Sequence, residues 1–599
     1  MHPRGHVSTL NSRGLTAVGT RLMSQFDGPA TQRLTIVAQD PGVREDGGIL
    51  LAQVDVPAER LAPGPRGYRV HVIDYDATST TLYRPAPFRF DRAGVLVDEF
   101  ESASNAAILR DPRFHAQNVY TIVMRTLARF EFALGRRVSW AFEGHQIKVI
   151  PHAFADANAF YSEHDEALMF GYFAGRKGNV FTCLSHDVIA HETTHAILDG
   201  LRSRYTDPSS PDQGAFHEGF ADLVALLSVF SLRNVVEAVL GRHVGEKDKE
   251  PTHPRFIHER ALGATALRES LLFGLAEQMG QELSAVRGSA LRQSATLHPS
   301  PRHLGEREFQ EPHRRGEVLV AAVLNAFIDI LVARFRGLRK VRGGYMDGAR
   351  VAAEAAEAAD YLLTMVIRAI DYTPATHIEF GDFLSAVLTA DHEIRPLDEK
   401  YHFRDHLRAS FGRYGIKPAS RWEGEPETGL WERPAEEMDY RHVHFEPMTR
   451  DTDEMFRFVW ENRRRLGLSE DAYTRVESLR PCLRIAPDDG FPLRETVAEC
   501  TQILNLEARE LKRVRLEKPE GMPDDTPLKL SGGITLIFDE FGRLKFAIGN
   551  RLDSGRQQTR LQHLWDVGHY RRSQSGRRQF SAMHRARAMD LAGEPHEEW

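Results

Sequence analysis

Between residues 118 and 134 the apolar side chains of Val119, Ile122, Val123, Leu127, Phe130 and Leu134 return every three or four positions, which predicts a helix that Gly135 closes. Ahead of it, residues 33–38, 49–56 and 68–75 are short strand-like pieces punctuated by Pro57, Pro63 and Pro65, the last of them alternating apolar with polar positions. Residues 146–150 and 167–173 read the same way. From residue 187 onward helical spacing dominates, over 187–200, 214–227, 264–279, 318–333, 351–371, 380–388 and 400–411. A stretch rich in Pro, Glu and Trp, 417–434, follows as a linker. Beyond it, 456–466 and 495–511 predict helices, and 533–538 with 543–548 predicts a hairpin turning at Asp539-Glu540-Phe541-Gly542. The expected organisation is a mobile arm (1–30), a β-rich lobe (31–200), a helical lobe (201–416), the linker (417–434), a small α+β domain (435–570) and a basic tail (571–599).

The helix expected at 187–200 carries the chemistry, in His191-Glu192-Thr193-Thr194-His195. Val188, Ile189, Ala196, Ile197 and Leu198 are its apolar positions, and Gly200 is its expected C-cap. A step of four residues is slightly more than one turn, so both imidazoles emerge on one face, roughly 6 Å apart along the axis. Two nitrogens so presented suit a tetrahedral Zn²⁺ that still needs a third protein ligand and an open position. Glu192 projects beside them, where a carboxylate can take a proton from a zinc-bound water. The third ligand should come from the next apolar helix, which contains His217-Glu218-Gly219-Phe220-Ala221-Asp222. Glu218 and Asp222 share a face there. Glu218 is the expected ligand, and Asp222 the acceptor that fixes the tautomer of a ligand histidine. A five-residue pattern with three fixed positions does arise by chance, but chance does not add an acidic pair on the following helix.

These stretches resemble the thermolysin family of zinc metalloproteases, gluzincins whose HExxH helix and downstream glutamate hold the metal. Other segments agree in order and approximate spacing over about residues 110–415. Asn158-Ala159-Phe160-Tyr161 is similar to the family's edge strand, and implies that Asn158 and Ala159 hold the backbone of a bound peptide. Ala290-Leu291-Arg292 resembles the segment whose arginine, here Arg292, binds a substrate carbonyl. His313 and Tyr205 match a histidine and a tyrosine that stabilise the oxyanion of the tetrahedral intermediate. Glu308 and Glu311 are carboxylates near enough in sequence to orient the His313 ring. The resemblance implies an α+β, two-lobe fold with the zinc helix in the cleft between lobes, one Zn²⁺ per chain, and hydrolysis of peptide bonds with Glu192 as general base.

Departures from the family pattern are specific. The gap between His195 and Glu218 is longer than usual, and His217 stands where an asparagine is common, either as a partner to His195 or as an ordinary residue of the helix N-terminus. The acidic segment that binds calcium ahead of the zinc helix is replaced by Gly171-Tyr172-Phe173-Ala174-Gly175-Arg176-Lys177-Gly178, so calcium is not carried over. No Gly-x-Met-Glu-Asn segment is present, which favours an endopeptidase over the related aminopeptidases. The rival from another class is a structural zinc site or retired protease acting as a binding module. Glu192 speaks against it, since a purely structural site has no use for a base.

Composition adds little that is specific. Apolar content of 42%, charged content of 27% and a net charge of −7 over 599 residues describe an ordinary globular chain of several domains, with nothing global pointing to nucleic acid or membrane. Cys183, Cys482 and Cys500 make neither a disulfide framework nor a zinc finger. Met1 to Ser8 lacks a signal-like apolar core, and the run 318–333, broken by Asn325 and Asp329, is expected to be a buried helix too short to span a bilayer. These features lead to an expectation of a cytoplasmic protein, with export by a signal-less route left open. The expected partner is a peptide or protein substrate, and the arm, the C-terminal domain or a regulatory protein partner are the alternatives for restraining the enzyme. The tail, with Arg571, Arg572, Arg577, Arg578, Arg585 and Arg587, reads as a solvated segment rather than an anion-binding one.

Overall fold

The computed structural model describes residues 30–570 apart from 43, 46, 176–177, 246–255, 270–293, 400, 420–427 and 487–489. The arm (save residue 30), the tail, Arg292 with Ala290 and Leu291, most of the helix expected at 264–279 and the middle of the linker therefore lie outside the described residues.

The fold is α+β. Strands β1 (Thr31–Val37) and β2 (Leu51–Pro57) form an antiparallel ladder. β3 (Val70–Val72) is shorter than the 68–75 expected, because Tyr75–Asp76 leaves its line to pair with Thr81–Leu82. Helix α1 (Pro112–Leu134) packs across these strands. It starts earlier than its apolar period indicates: Asp111 accepts from the Arg113 N–H, Pro112 opens the first turn, and Gly135 in the left-handed region (φ 67°) ends it. β4 (Ile147–Phe154), β5 (Ala159–Ser162), β6 (Ala167–Gly175) and β7 (Gly178–Phe181) complete a mixed sheet in the order β7-β6-β4-β3, with β5 antiparallel to the first half of β6. Among the described residues β6 is the only ladder partner of β5.

The helical part follows: α2 (His186–Leu201), α3 (Pro211–Phe230), α4 (Pro312–Arg336), α5 (Gly348–Arg368), α6 (Phe380–Ile394) and α7 (Phe403–Arg413). Gly200 does not cap α2, which ends on Arg202. It lies inside the helix, where a Cβ would stand 2.3 Å from the Ser139 carbonyl oxygen, so close packing and not capping excludes a side chain. α4 has 25 residues and, contrary to the expectation from 318–333, is long and apolar enough to cross a membrane. It is instead a core helix, with 78% of its apolar window buried by its neighbours.

After α8 (Thr452–Glu461) the chain forms a four-stranded antiparallel sheet of β8 (Tyr473–Ile485), β9 (Pro492–Glu507), β10 (Pro527–Phe538) and β11 (Leu544–Asn550), closed by α9 (Gly555–Asp566). The hairpin of β10 and β11 is the one expected. β9 corrects the helix expected at 495–511, and the reason is physical. Its alternating side chains are buried on both faces: Val497 joins the core of the preceding helices, while Ala498 and Cys500 pack with Met455, Phe458 and Val459 of α8. A strand covered on both sides loses the polar alternation that marks strands in sequence.

The sheet is seated on the rest of the molecule. Cys482, Val497, Ile537, Phe546 and Ile548 belong to the same apolar core as α1 to α7. At its centre Arg136 holds Asp371 with two hydrogen bonds, of 2.5 and 2.7 Å, and Arg484 from β8 reaches the same carboxylate at 2.5 Å. Arg484 also pairs with Glu495 of β9, which accepts from the Tyr372 hydroxyl (2.7 Å) and Lys545 (2.6 Å).

Candidate metal centre

Helix α2 places His191 and His195 on one face, ring centroids 4.5 Å apart and nearly perpendicular. α3 packs against α2 and turns Glu218 toward them, its carboxylate oxygens 3.5 Å from His191 Nε2 and 3.6 Å from His195 Nε2. One donor atom from each of the three lies within 4.8 Å of the others, and all three residues are buried. That set, two imidazoles and a carboxylate, is one that divalent zinc accepts.

The remaining ring nitrogens are fixed from α3. His191 Nδ1 lies 2.7 Å from Asp222 Oδ1, as a carboxylate four residues after Glu218 allows. His195 Nδ1 lies 2.8 Å from His217 Nδ1. For His195 to present a lone pair at Nε2, its Nδ1 carries the hydrogen and donates it, so His217 accepts at Nδ1 and carries its own hydrogen on Nε2. Burial is the main cause that brings His195 down to about 4 and His217 well below the usual histidine range, with Glu218 opposing both shifts; both rings are thus neutral, the form that can ligate or accept. Replacing Asp222 by Ala is expected to weaken zinc affinity about 10- to 100-fold, read by competition with a chromophoric chelator, while the fold, followed by circular dichroism, is kept.

Glu192 is fully buried on α2, and its Oε2 accepts from the backbone N–H of Tyr161 in β5 at 3.0 Å. This bond ties the edge strand to the helix beside the two histidines. Asn158, just ahead of β5, is oriented locally: its Oδ1 accepts from the Ala159 N–H at 2.9 Å and its carbonyl accepts from Gly171 at 2.8 Å.

His313 arrives from α4. α3 and α4 cross where two glycines meet: a Cβ on Gly219 would stand 2.9 Å from the Gly316 carbonyl oxygen, and one on Gly316 would stand 3.0 Å from that of Ala215. This close approach brings His313 Nε2 to 3.5 Å from Glu218 Oε2. Glu311 both caps α4, accepting from the Arg314 N–H at 2.8 Å, and holds His313 Nδ1 at 2.6 Å. Burial opposes ionisation of Glu311, but its hydrogen bond and charge interaction with His313 hold its carboxyl below the ordinary value. Glu308 turns instead toward Arg314.

Tyr205 is not brought to this cluster. Its hydroxyl is buried against Thr373 Oγ1 (2.8 Å) and the Pro374 carbonyl (2.7 Å), and burial raises it to about 12. The turn Ser203–Thr206 between α2 and α3 carries it to the seam beneath the C-terminal sheet. The contact that sequence reasoning missed is the Tyr161 backbone N–H on Glu192. A main-chain donor leaves no mark in residue identity.

No protein-family model matches the chain, and no curated protein matches it.

Proposed function

We propose that the protein is a zinc-dependent endopeptidase of the thermolysin-like kind that its sequence resembles, with β5 as the strand against which an extended peptide is laid. The observation that carries this reading is a His191, His195 and Glu218 set with Glu192 on the same helix. Three protein ligands are what catalytic zinc sites use, the fourth position being left to water or substrate, whereas structural sites are closed by four. A bound zinc would polarise the scissile carbonyl and make the attacking water more acidic.

The residues of the chain do the rest. Glu192 takes the proton of the attacking water and returns it to the leaving amine, a role worth about 100- to 10,000-fold in rate. The Tyr161 N–H orients that carboxylate. His313, held at Nδ1 by Glu311, turns its Nε2 edge toward the developing oxyanion, where a well-placed donor is worth about 3–4 kcal/mol. Asn158 and Ala159 align the substrate backbone beside the edge of β5, where a peptide can add as a further strand. Three free, buried cysteines accord with a cytoplasmic location. The reading is tested with a peptide blocked at both ends: cleavage at an internal bond is expected, and release of terminal residues only from unblocked peptides would overturn it.

A further inference from the structure

A second group of ligating side chains lies behind the zinc helix. His115 from α1, His152 from β4 and Cys183 from the short turn Thr182–Leu184 that leads into α2 bring one donor atom each within 4.8 Å of the others. His115 and Cys183 are buried and His152 nearly so. Asp74 adds an outer carboxylate, its Oδ1 2.9 Å from His152 Nδ1. That bond puts the hydrogen of His152 on Nδ1 and leaves the lone pair of Nε2 pointing at His115 Nδ1, 2.8 Å away. The Phe181 ring packs on both imidazoles, at centroid distances of 4.8 and 5.3 Å. The Asn118 amide donates to the Cys183 carbonyl at 2.9 Å, fixing the turn against α1.

We propose that His115, His152 and Cys183 form a second metal site, for a thiolate-accepting divalent cation of the zinc class, with the fourth position left to water. The donor set is the argument. Two imidazoles and a thiol suit zinc, and an imidazole whose far nitrogen is held by a carboxylate is the arrangement that metal-bound histidines use. His191 with Asp222 shows it at the other site. On loading, the His115 hydrogen shifts from Nδ1 to Nε2 and the Cys183 thiol proton is released to solvent, and the rings move apart by about half an ångström, since two nitrogens on one tetrahedral zinc stand roughly 3.3 Å apart. The site is independent of the catalytic reading, because it shares no ligand with His191, His195 and Glu218.

Cobalt(II) substitution of the full chain separates the two sites. A cysteine-bound cobalt gives a near-ultraviolet sulfur-to-metal charge-transfer band, which a site of two histidines and a glutamate cannot give. Wild type is expected to bind two cobalt ions and show the band. Cys183→Ser is expected to bind one and lose the band. Glu218→Ala is expected to bind one and keep it. Absence of the band in wild type, or its survival in Cys183→Ser, would overturn the second site while leaving the first untouched. Loss of metal from Glu218→Ala without change in the band separates the fate of the catalytic reading from this one.

Discussion

If the proposed function holds, Glu192→Gln is expected to bind zinc at His191, His195 and Glu218 with wild-type affinity and to lose about 100- to 10,000-fold in peptide cleavage. The substitution is nearly isosteric, and the new amide oxygen still accepts the Tyr161 N–H, so neither α2 nor β5 has reason to move. Glu192 is not among the three converging donors, so their lone pairs are undisturbed. What disappears is a group that can accept a proton and then give it up. Glu218→Ala makes the contrast: it removes a donor from the His191, His195 and Glu218 centre and is expected to lose one zinc per chain, that centre's own, together with turnover. Elemental analysis beside initial rates on a blocked peptide reads both. A Glu192→Gln protein that cleaves at the wild-type rate would remove the base from the account.

Asp371→Ala is expected to destabilise the fold by about 3–5 kcal/mol, the usual consequence of taking one partner from a buried ion pair. Asp371 is 1% exposed and is shared by Arg136, after α1, and Arg484, on β8. Its loss leaves two buried guanidinium groups short of a carboxylate at the junction between the C-terminal sheet and the helices. The measurement is the unfolding free energy from urea titration of both proteins, and a change under about 1 kcal/mol, the range of exposed pairs, would contradict it. Burial alone would raise the Asp371 carboxyl, but Arg136 and Arg484 overcome that and hold it well below the usual carboxylate range. A depressed native value contributes stability that is present above the unfolded value of about 3.9 and is lost as pH falls below it, so the wild-type advantage over Asp371→Ala should shrink in acid. The same seam makes deletion of residues 435–599 a stability experiment, since it strips the apolar face that Val497, Ile537, Phe546 and Ile548 cover.

How much of this was legible in the sequence depends on whether the information is local. His191 and His195, or Glu218 and Asp222, meet because four residues make about one turn, and that relation is written in the spacing. Glu311 and His313 lie two apart in sequence, so their pairing could be foreseen, as could His217 beside His195 once the two helices were known to pack together. Tyr205, expected at the oxyanion, lies instead on Thr373 and Pro374, because a turn with no helical period decides where it points. β9 reads as a helix in the sequence because burial on both faces erases alternation, whereas the β10–β11 hairpin announces itself through its turn. Asp74, His115, His152 and Cys183 come from four separate segments with no periodic relation, and only the fold brings them together.

The most direct measurement is cleavage of a peptide blocked at both ends by the wild-type chain, before and after metal removal and again after zinc is returned. The account predicts cleavage at an internal bond that stops on chelation and recovers with zinc. Undiminished cleavage by the metal-stripped protein, or no cleavage by the zinc-loaded one, would contradict it.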